Sequence, residues 1–389
     1  MFFGILNIAK RKFKRVVIMQ NEYFGKDIKK LGFGLMRLPK HGPVTDVAET
    51  SKMVDLFIEN GFTYFDTAFV YVGSEAAAKK ALVDRYPRES YTLASKLFAA
   101  KIPSAKIAKA ELETSLKRTG AGYLDFYLLH SLMDSNYTKY DKFGIWDFVK
   151  EAKAAGKIKH WGFSFHGSPE LLDKLLTEHP DAEFVQLQIN YADWENPKVR
   201  SREVYETARK HGKSIVVMEP VKGGKLADPP EEVKKLFKEI NPDASYASWA
   251  IRFAASLDGI LTVLSGMSNS EQMLDNISFM KDFKPLNETE LAAVKKAQEI
   301  FNKSCEIPCT ACRYCTEGCP KGISIPDLFA IRNKQLTSGK LNEAKSEYAE
   351  FTLSNEKASA CIGCGQCETV CPQKIDIIAQ LKACAEIFE

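Results

Sequence analysis

The 389-residue chain lacks several features that would assign it to a common functional class. It has no run of 18 or more apolar residues, and its mean hydropathy of −0.23 is low, so a membrane-spanning helix is excluded. Neither sign of charge dominates, since 54 Lys and Arg stand against 50 Asp and Glu, and charge therefore indicates no nucleic-acid partner. These absences predict a soluble, cytoplasmic protein with no membrane span and no nucleic-acid partner.

The first 20 residues do not form a secretory signal. Their short apolar run precedes the basic cluster, whereas a signal peptide has its charges first and its apolar segment second. We expect residues 1–20 to be a disordered extension. A basic amphipathic contact with a membrane surface is the alternative.

Cysteine is absent from residues 1–304, and all ten cysteines lie in the last 85 residues. A disulfide-stapled secreted protein would usually spread its cysteines through a short chain, so metal ligation explains this pattern better. Residues 309–320 and 361–372 both read C-x2-C-x2-C-x3-C-P, which is the spacing of bacterial two-cluster ferredoxins. The spacing predicts two [4Fe-4S] clusters, and a pair of zinc sites is the alternative.

In the two-cluster arrangement, the cysteine before proline ligates the cluster of the other motif. The predicted ligands are Cys309, Cys312, Cys315 and Cys371 for one cluster, and Cys361, Cys364, Cys367 and Cys319 for the other. Cys305 and Cys384 fall outside both motifs, and we expect them to be small buried apolar side chains. The 41 residues between the motifs, 320–360, have a composition compatible with helices. We therefore expect a mainly α-helical two-cluster ferredoxin domain.

The first 300 residues contain eight strand-like apolar runs that alternate with helical patterns. This alternation predicts parallel βαβ units, and eight strands imply an α/β fold with a closed (β/α)8 TIM barrel. The predicted strands are residues 32–36, 63–68, 91–97, 123–130, 160–166, 184–190, 214–220 and 259–266. An open doubly wound sheet is the alternative, but no G-x-G-x-x-G follows the first strand. We expect the barrel over residues 21–300 and the cluster domain over 301–389.

Polar side chains stand at the ends of the second, third and fourth predicted strands. Asp66 ends the second strand with Tyr71 in the loop after it, Lys96 nearly ends the third, and His130 ends the fourth. Each has an ordinary structural interpretation by itself, such as a turn residue or a core histidine. Because barrel chemistry sits where strands end, the four together predict an active site on one rim.

The segments FDTAFVY (65–71), ASK (94–96) and DFYLLH (125–130) resemble the aldo-keto reductase family, and the resemblance covers about residues 22–300. It implies that Tyr71 is the general acid that protonates a carbonyl oxygen and that His130 orients the carbonyl. It also implies that Lys96 and Asp66 lower the pKa of Tyr71. The physical reason is that a neighbouring ammonium favours a phenolate.

The resemblance further implies a nicotinamide cofactor, NAD(H) or NADP(H), since no protein side chain supplies a hydride. Ser164 and Gln186 match the residues that hold the carboxamide, although the family's usual Asn after that Ser is Phe165 here. Met218 stands where an aromatic ring often stacks on the nicotinamide.

The segment 265–276 matches the family's contacts with the adenine ribose. NADPH-specific members generally carry a Lys and an Arg where this chain has Gly266 and Gln272, whereas Asp275 and Asn276 match the adenine-side pair. Loss of both cations removes the clamp on the 2′-phosphate, so NADH is favoured over NADPH, or nicotinamide binding is weak altogether.

The sequence therefore predicts an oxidoreductase that reduces an aldehyde or ketone to an alcohol, or runs the reverse reaction, with an iron-sulfur electron relay. A hydride transfers two electrons together, whereas each cluster passes one electron at a time. An electron relay therefore needs a group that separates the two electrons. A bound flavin, a ferredoxin or flavoprotein partner, and clusters with a purely structural role are the three alternatives. A competing hypothesis is an electron-transfer protein whose barrel is a scaffold, or docks a flavin or a partner.

Overall fold

Eight parallel strands close into a barrel in the computed structural model, which describes residues 24, 28–303 and 306–389. The strands are β1 (Leu31–Gly34), β2 (Tyr64–Asp66), β3 (Thr92–Leu97), β4 (Leu124–Leu132), β5 (Ile158–Phe165), β6 (Phe184–Gln188), β7 (Ser214–Met218) and β8 (Ile260–Ser265). Each strand pairs with its sequence neighbours, and β1 closes the barrel by pairing with both β2 and β8. The predicted barrel is confirmed, and the predicted extension, residues 1–20, lies outside the described residues.

The strands are covered on both faces, which explains why they read as continuous apolar runs. All nine residues of β4 are buried, and so are all six of β3. Packing between neighbouring strands is so close that a Cβ at Gly162 in β5 would lie 2.2 Å from the carbonyl oxygen of Phe184. Only glycine fits there.

Helices surround the barrel. They are α1 (Val47–Glu59), α2 (Ser74–Ala78), α3 (Ala105–Thr119), α4 (Tyr137–Lys142), α5 (Ile145–Ala154), α6 (Pro169–Glu178), α7 (Ser201–Lys210), α8 (Glu231–Ile240), α9 (Tyr246–Ala255), α10 (Ser270–Met280) and α11 (Glu288–Asn302). Several begin at a side-chain cap: Ser104, Ser168 and Asn269 each accept a hydrogen bond from the first turn that follows. A short hairpin of Lys40–His41 and Val44–Thr45 follows β1.

An aromatic layer fills the barrel at the amino ends of its strands. The Phe126 ring lies 5.2 Å from that of Tyr64 and 5.0 Å from that of Phe184, measured between centroids. Phe24 packs below them, 5.3 Å from Phe126. Because this end is closed, the opposite rim is the accessible face of the barrel.

The region after the barrel is helical, as predicted. Its described residues, 306–389, form α12 (Ile325–Ser338), α13 (Leu341–Phe351), α14 (Gln366–Thr369) and α15 (Ile377–Phe388) and contain no strand. They have a separate apolar core in which Leu328, Phe329 and Leu381 are almost fully buried. Among the described residues, no helix is both long and apolar enough to cross a membrane.

This helical region sits on the carboxyl rim of the barrel, where βα loops hold it through polar contacts. Arg37 donates to the carbonyl oxygen of Thr310 at 2.7 Å, and Lys225 pairs with Glu306 at 2.9 Å. Gly223 has a φ of +66°, and a Cβ there would lie 2.7 Å from the Thr310 carbonyl oxygen. The glycine therefore allows the cluster domain to approach the barrel backbone directly.

Candidate active site

The four residues predicted at the strand ends lie together on the carboxyl rim. Asp66 is the last residue of β2, and the ammonium of Lys96, from β3, contacts its carboxylate and donates to the carbonyl oxygen of Thr67 at 2.8 Å. That ammonium also lies 5.1 Å from the ring centroid of Tyr71. The Tyr71 and His130 rings meet edge to face, with centroids 5.7 Å apart.

Burial dominates the electrostatics of this group. It raises the pKa of Tyr71 well above the usual value for a phenol, and the neighbouring Tyr314 and Asp66 raise the pKa further. The lowering of the Tyr71 pKa implied by the family resemblance is therefore not found. Burial is the largest cause, and it also lowers the pKa of Lys96, whose ammonium contacts Asp66 and the Thr67 carbonyl. The phenol is a protonated donor at neutral pH.

His130 is uncharged in this environment. Burial lowers its pKa well below the usual value for histidine, and Lys96 and His166 act in the same direction. The hydroxyl of Tyr140 donates to its backbone carbonyl and fixes the end of β4. A neutral imidazole beside a protonated phenol can bind a carbonyl oxygen without carrying a charge.

A cavity of about 370 Å³ extends from Asp66 and Tyr71 along the rim. Most of the predicted cofactor contacts line it: Gln186, Met218, Gly266, Gln272, Asp275 and Asn276. Ser164 is not among the lining residues, because its hydroxyl is buried and accepts a hydrogen bond from the Ser131 backbone at 2.7 Å.

Gln186 provides a test of whether the cavity fits a nicotinamide. Its amide nitrogen lies 3.5 Å from the sulfur of Met218, whereas its buried amide oxygen has no hydrogen-bond partner among the described residues. A buried amide oxygen normally has a donor, and the amide group of a carboxamide would supply one. The residues at this end of the cavity fit the ring of the cofactor.

The other end of the cavity is formed by the loop after β8. Asn276 donates to the Ser265 hydroxyl at 2.6 Å, and Asp275 accepts from the Ser245 hydroxyl at 2.9 Å. Arg37 also lines this end, with its side chain 3.5 Å from the position that a Cβ would take at Gly266. Sequence reasoning missed this cation, because the loop after β1 carries no motif that marks it.

The cluster domain contributes part of the cavity wall, which sequence reasoning also missed. Thr310, Cys312, Tyr314, Pro372 and Gln373 all line the cavity. Four of these residues belong to the two cysteine motifs and Gln373 directly follows the second, so the cavity is built from both halves of the chain.

Two smaller cavities lie inside the cluster domain, and each is lined by four cysteines. One is lined by Cys309, Cys312, Cys315 and Cys371, and the other by Cys319, Cys361, Cys364 and Cys367. In both, three cysteines come from one motif and the fourth precedes the proline of the other. This is the grouping that the swapped spacing predicts.

The two cysteine-lined cavities fit a cubane better than a single metal ion. Among the described residues, no three His, Cys, Asp or Glu side chains gather around one metal position. A cubane takes one thiolate at each of four separate irons, so its ligands are spread around a cavity. Burial raises the pKa of Cys312 and Cys315 to about 12, so these thiols need a metal bond to lose their protons.

The two cluster cavities differ in their surroundings. Cys312 lines both its cluster cavity and the active-site cavity, whereas Cys364 of the other set is exposed to solvent. Cys384 lies outside both sets and is fully buried in α15, as expected for an apolar side chain, and Cys305 lies outside the described residues.

Comparison with known proteins gives matches to both halves of the chain. A model of the aldo/keto reductase family matches residues 30–299, and a model of a 4Fe-4S dicluster domain matches residues 308–375. The aldo-keto reductase str7 of Strobilurus tenacellus is 30% identical over 212 residues, which make up 51% of this chain and 60% of that protein. The chain thus spans well under two-thirds of the length of str7.

Two further proteins match the barrel over nearly their whole length. The uncharacterized oxidoreductase YqkF of Bacillus subtilis is 24% identical over 311 residues, covering 71% of this chain and 95% of that protein. The holo form of an aldo-keto reductase from Bacillus halodurans superposes with a TM-score of 0.58 at 26% identity, covering 70% of this chain and 93% of the other.

Proposed function

The chain belongs to the aldo/keto reductase family, and on that premise we propose that it reduces a small-molecule aldehyde or ketone to an alcohol, or catalyses the reverse reaction. The observation that carries this proposal is the group of Asp66, Tyr71, Lys96 and His130, of which Asp66 and Tyr71 line the cavity.

In this proposal, Tyr71 donates its phenolic proton to the carbonyl oxygen. His130 holds the same oxygen through Nε2, and its uncharged ring leaves the proton transfer to Tyr71. Lys96 holds Tyr71 from the ring face, and Asp66 holds Lys96. Burial of Asp66, Lys96 and His130 keeps water from these three side chains and strengthens their hydrogen bonds, whereas Tyr71 faces the cavity.

We propose that the cavity binds a nicotinamide, which supplies the hydride when it is bound. Gln186 would hold the carboxamide, Met218 would pack on the ring, and Asp275 and Asn276 would bind the adenine side. Gly266 and Gln272 offer no charge to a 2′-phosphate. Ser164 is not needed for this arrangement, because its hydroxyl is already engaged by the Ser131 backbone.

We expect NADH to bind at least as tightly as NADPH, because Gly266 and Gln272 carry no charge and Arg37, the cation that lines this end of the cavity, is held by the Thr310 carbonyl. Equilibrium titration of the anaerobic protein with each nucleotide measures this, followed by NADH oxidation with a series of aldehydes and ketones. A strong preference for NADPH would contradict the expectation and would indicate that Arg37 binds the 2′-phosphate. Lys222 and Lys225 are not available, since they pair with Asp193 and Glu306.

We propose that the eight motif cysteines hold two [4Fe-4S] clusters, which pass single electrons when bound. Anaerobically purified protein should contain about eight iron and about eight acid-labile sulfide per chain. Elemental analysis and a sulfide assay measure both. Two zinc ions with no labile sulfide would contradict the assignment.

The proposed relay runs between the cavity and solvent. Cys312 lines the cavity and Cys364 is exposed, so the two cluster positions lead from the reactive end of the barrel to the surface. Because a hydride carries two electrons and a cluster accepts one, the relay would need a carrier that splits the pair, such as a bound flavin or a flavoprotein partner. Clusters with a purely structural role are the alternative. A ferredoxin is the other partner whose chemistry suits the exposed end.

A second candidate function is electron transfer with the barrel as scaffold or docking unit. The position of Tyr314 beside Tyr71 and His130 favours this second function. It shows that the cluster domain covers the group of four residues at the strand ends. A protein that oxidises a reduced ferredoxin but leaves every tested carbonyl and alcohol unchanged would have this second function.

A further inference from the structure

Tyr314, from the first cysteine motif, reaches the catalytic group of the barrel. Its hydroxyl lies 3.4 Å from Nε2 of His130, and both Tyr314 and Tyr71 line the same cavity. The rings of Tyr314 and His130 meet nearly at right angles, with centroids 6.3 Å apart. The neighbouring Tyr314 also raises the pKa of Tyr71, so its hydroxyl lies beside both groups that are proposed to bind the carbonyl oxygen of a substrate.

We propose that the Tyr314 hydroxyl occupies the carbonyl-oxygen position of the active site, so that a substrate must displace this side chain before it is reduced. The inference rests on the proposed carbonyl reductase function. It makes Tyr314 a determinant of substrate affinity and size, because the substrate competes with the contact between the Tyr314 hydroxyl and His130.

The backbone around Tyr314 is fixed, which limits how the side chain can leave. Lys101 donates to its carbonyl oxygen at 3.3 Å, and Cys312 and Cys315 flank it in the sequence. Arg37 holds the preceding Thr310 carbonyl at 2.7 Å. The ring can therefore leave His130 by rotation of its own side chain.

The test separates substrate affinity from turnover. In Tyr314→Phe, the ring remains but the hydroxyl that contacts His130 is lost, so KM for a carbonyl substrate should fall about five- to tenfold, while kcat changes little. Tyr314→Ala should also admit bulkier ketones. Thr316→Val is the matched control, because its hydroxyl bonds only within the same loop, to the Arg313 carbonyl at 2.7 Å, and KM should not change. Iron and sulfide content confirms that each variant keeps its clusters.

Each outcome decides the proposal. An unchanged or higher KM in Tyr314→Phe overturns it, and so does a large loss of kcat, which would mean that Tyr314 donates to the carbonyl. If neither the wild type nor the variant reduces any carbonyl, the proposed function fails. The affinity of each protein for acetate then tests whether Tyr314 occupies the oxygen position. A carboxylate oxygen can take the same position, so acetate, measured by calorimetry with NADH present, should bind at least fivefold more tightly to Tyr314→Phe. Equal acetate affinity overturns the displacement.

Discussion

Replacing Tyr71 with phenylalanine is expected to reduce carbonyl reduction by about 10² to 10⁴-fold, which is the usual contribution of general acid catalysis. The substitution keeps the ring that packs against Lys96 and His130 and removes only the hydroxyl. The loss should appear in kcat and in kcat/KM alike, because the proton is transferred in the transition state. Steady-state kinetics under anaerobic conditions measure both constants.

Tyr127→Phe is the matched control for this variant. Tyr127 is a fully buried tyrosine of β4 outside the cavity, and its hydroxyl has no partner among the described residues, so its loss should leave the rate unchanged. Lys96→Met should lower the rate similarly to Tyr71→Phe, without additivity in the double variant, since the two residues act together. Lys96→Met also leaves Asp66 buried without its partner, which costs about 3 to 5 kcal/mol of stability, so Tyr71→Phe is the cleaner test.

The pH profile gives an independent check on the same group. The raised pKa of Tyr71 keeps its proton available until well above pH 10, and the lowered pKa of His130 keeps its ring neutral down to acidic pH. The rate of reduction should therefore stay flat across neutral pH. Full activity of Tyr71→Phe on the wild-type substrate would show that Tyr71 is not the proton donor and that the proposed roles of the four residues are wrong.

Replacing Cys371 with alanine is expected to remove the cluster beside the active site, although the other three ligands of that cluster belong to the first motif. Iron should fall from about eight to about four per chain, because the second set of four cysteines is untouched. Cys319→Ala should have the reciprocal effect. Iron analysis together with electron paramagnetic resonance of the reduced proteins measures which cluster survives.

Comparison between variants identifies the lost cluster without assigning spectra in advance. Under the swapped arrangement, Cys371→Ala and Cys312→Ala leave the same surviving signal, and Cys319→Ala shares its signal with Cys364→Ala. If the ligands paired within each motif, Cys371→Ala would match Cys364→Ala instead. Cys384→Ala is the control, because that thiol is buried outside both cavities and should leave both clusters in place.

The parts of the molecule that local patterns determine could be predicted from the sequence. Strands buried on both faces leave continuous apolar runs, and the barrel formed by those runs is confirmed. Ends of parallel strands share one rim, which is why Asp66, Lys96 and His130 could be expected together before the structure placed them. Cysteine spacing predicts which cysteines share a cluster. Three closely spaced thiols bind three corners of a cubane and leave the fourth to a distant residue.

What could not be predicted depends on how the two halves of the chain meet. Tyr314 and His130 are 184 residues apart, and nothing in the pattern around Tyr314 shows that its ring enters the barrel rim. Arg37 was missed for the same reason, because it lines the cavity from a loop without a motif. The resemblance implies a lowered pKa for Tyr71, whereas burial raises it, and the degree of burial is not encoded in the motif.

Cys312 lines both the active-site cavity and a cluster cavity, so oxidation of the cluster would affect the active site. A segment held by metal–thiolate bonds loses its shape when the metal is lost, so oxidative breakdown of that cluster would release the loop that carries both Cys312 and Tyr314. The barrel strands would stay folded, but the wall of the active-site cavity that this loop forms would lose its structure. We therefore expect the proposed carbonyl reduction to be lost on exposure to oxygen, although no residue of the barrel is altered.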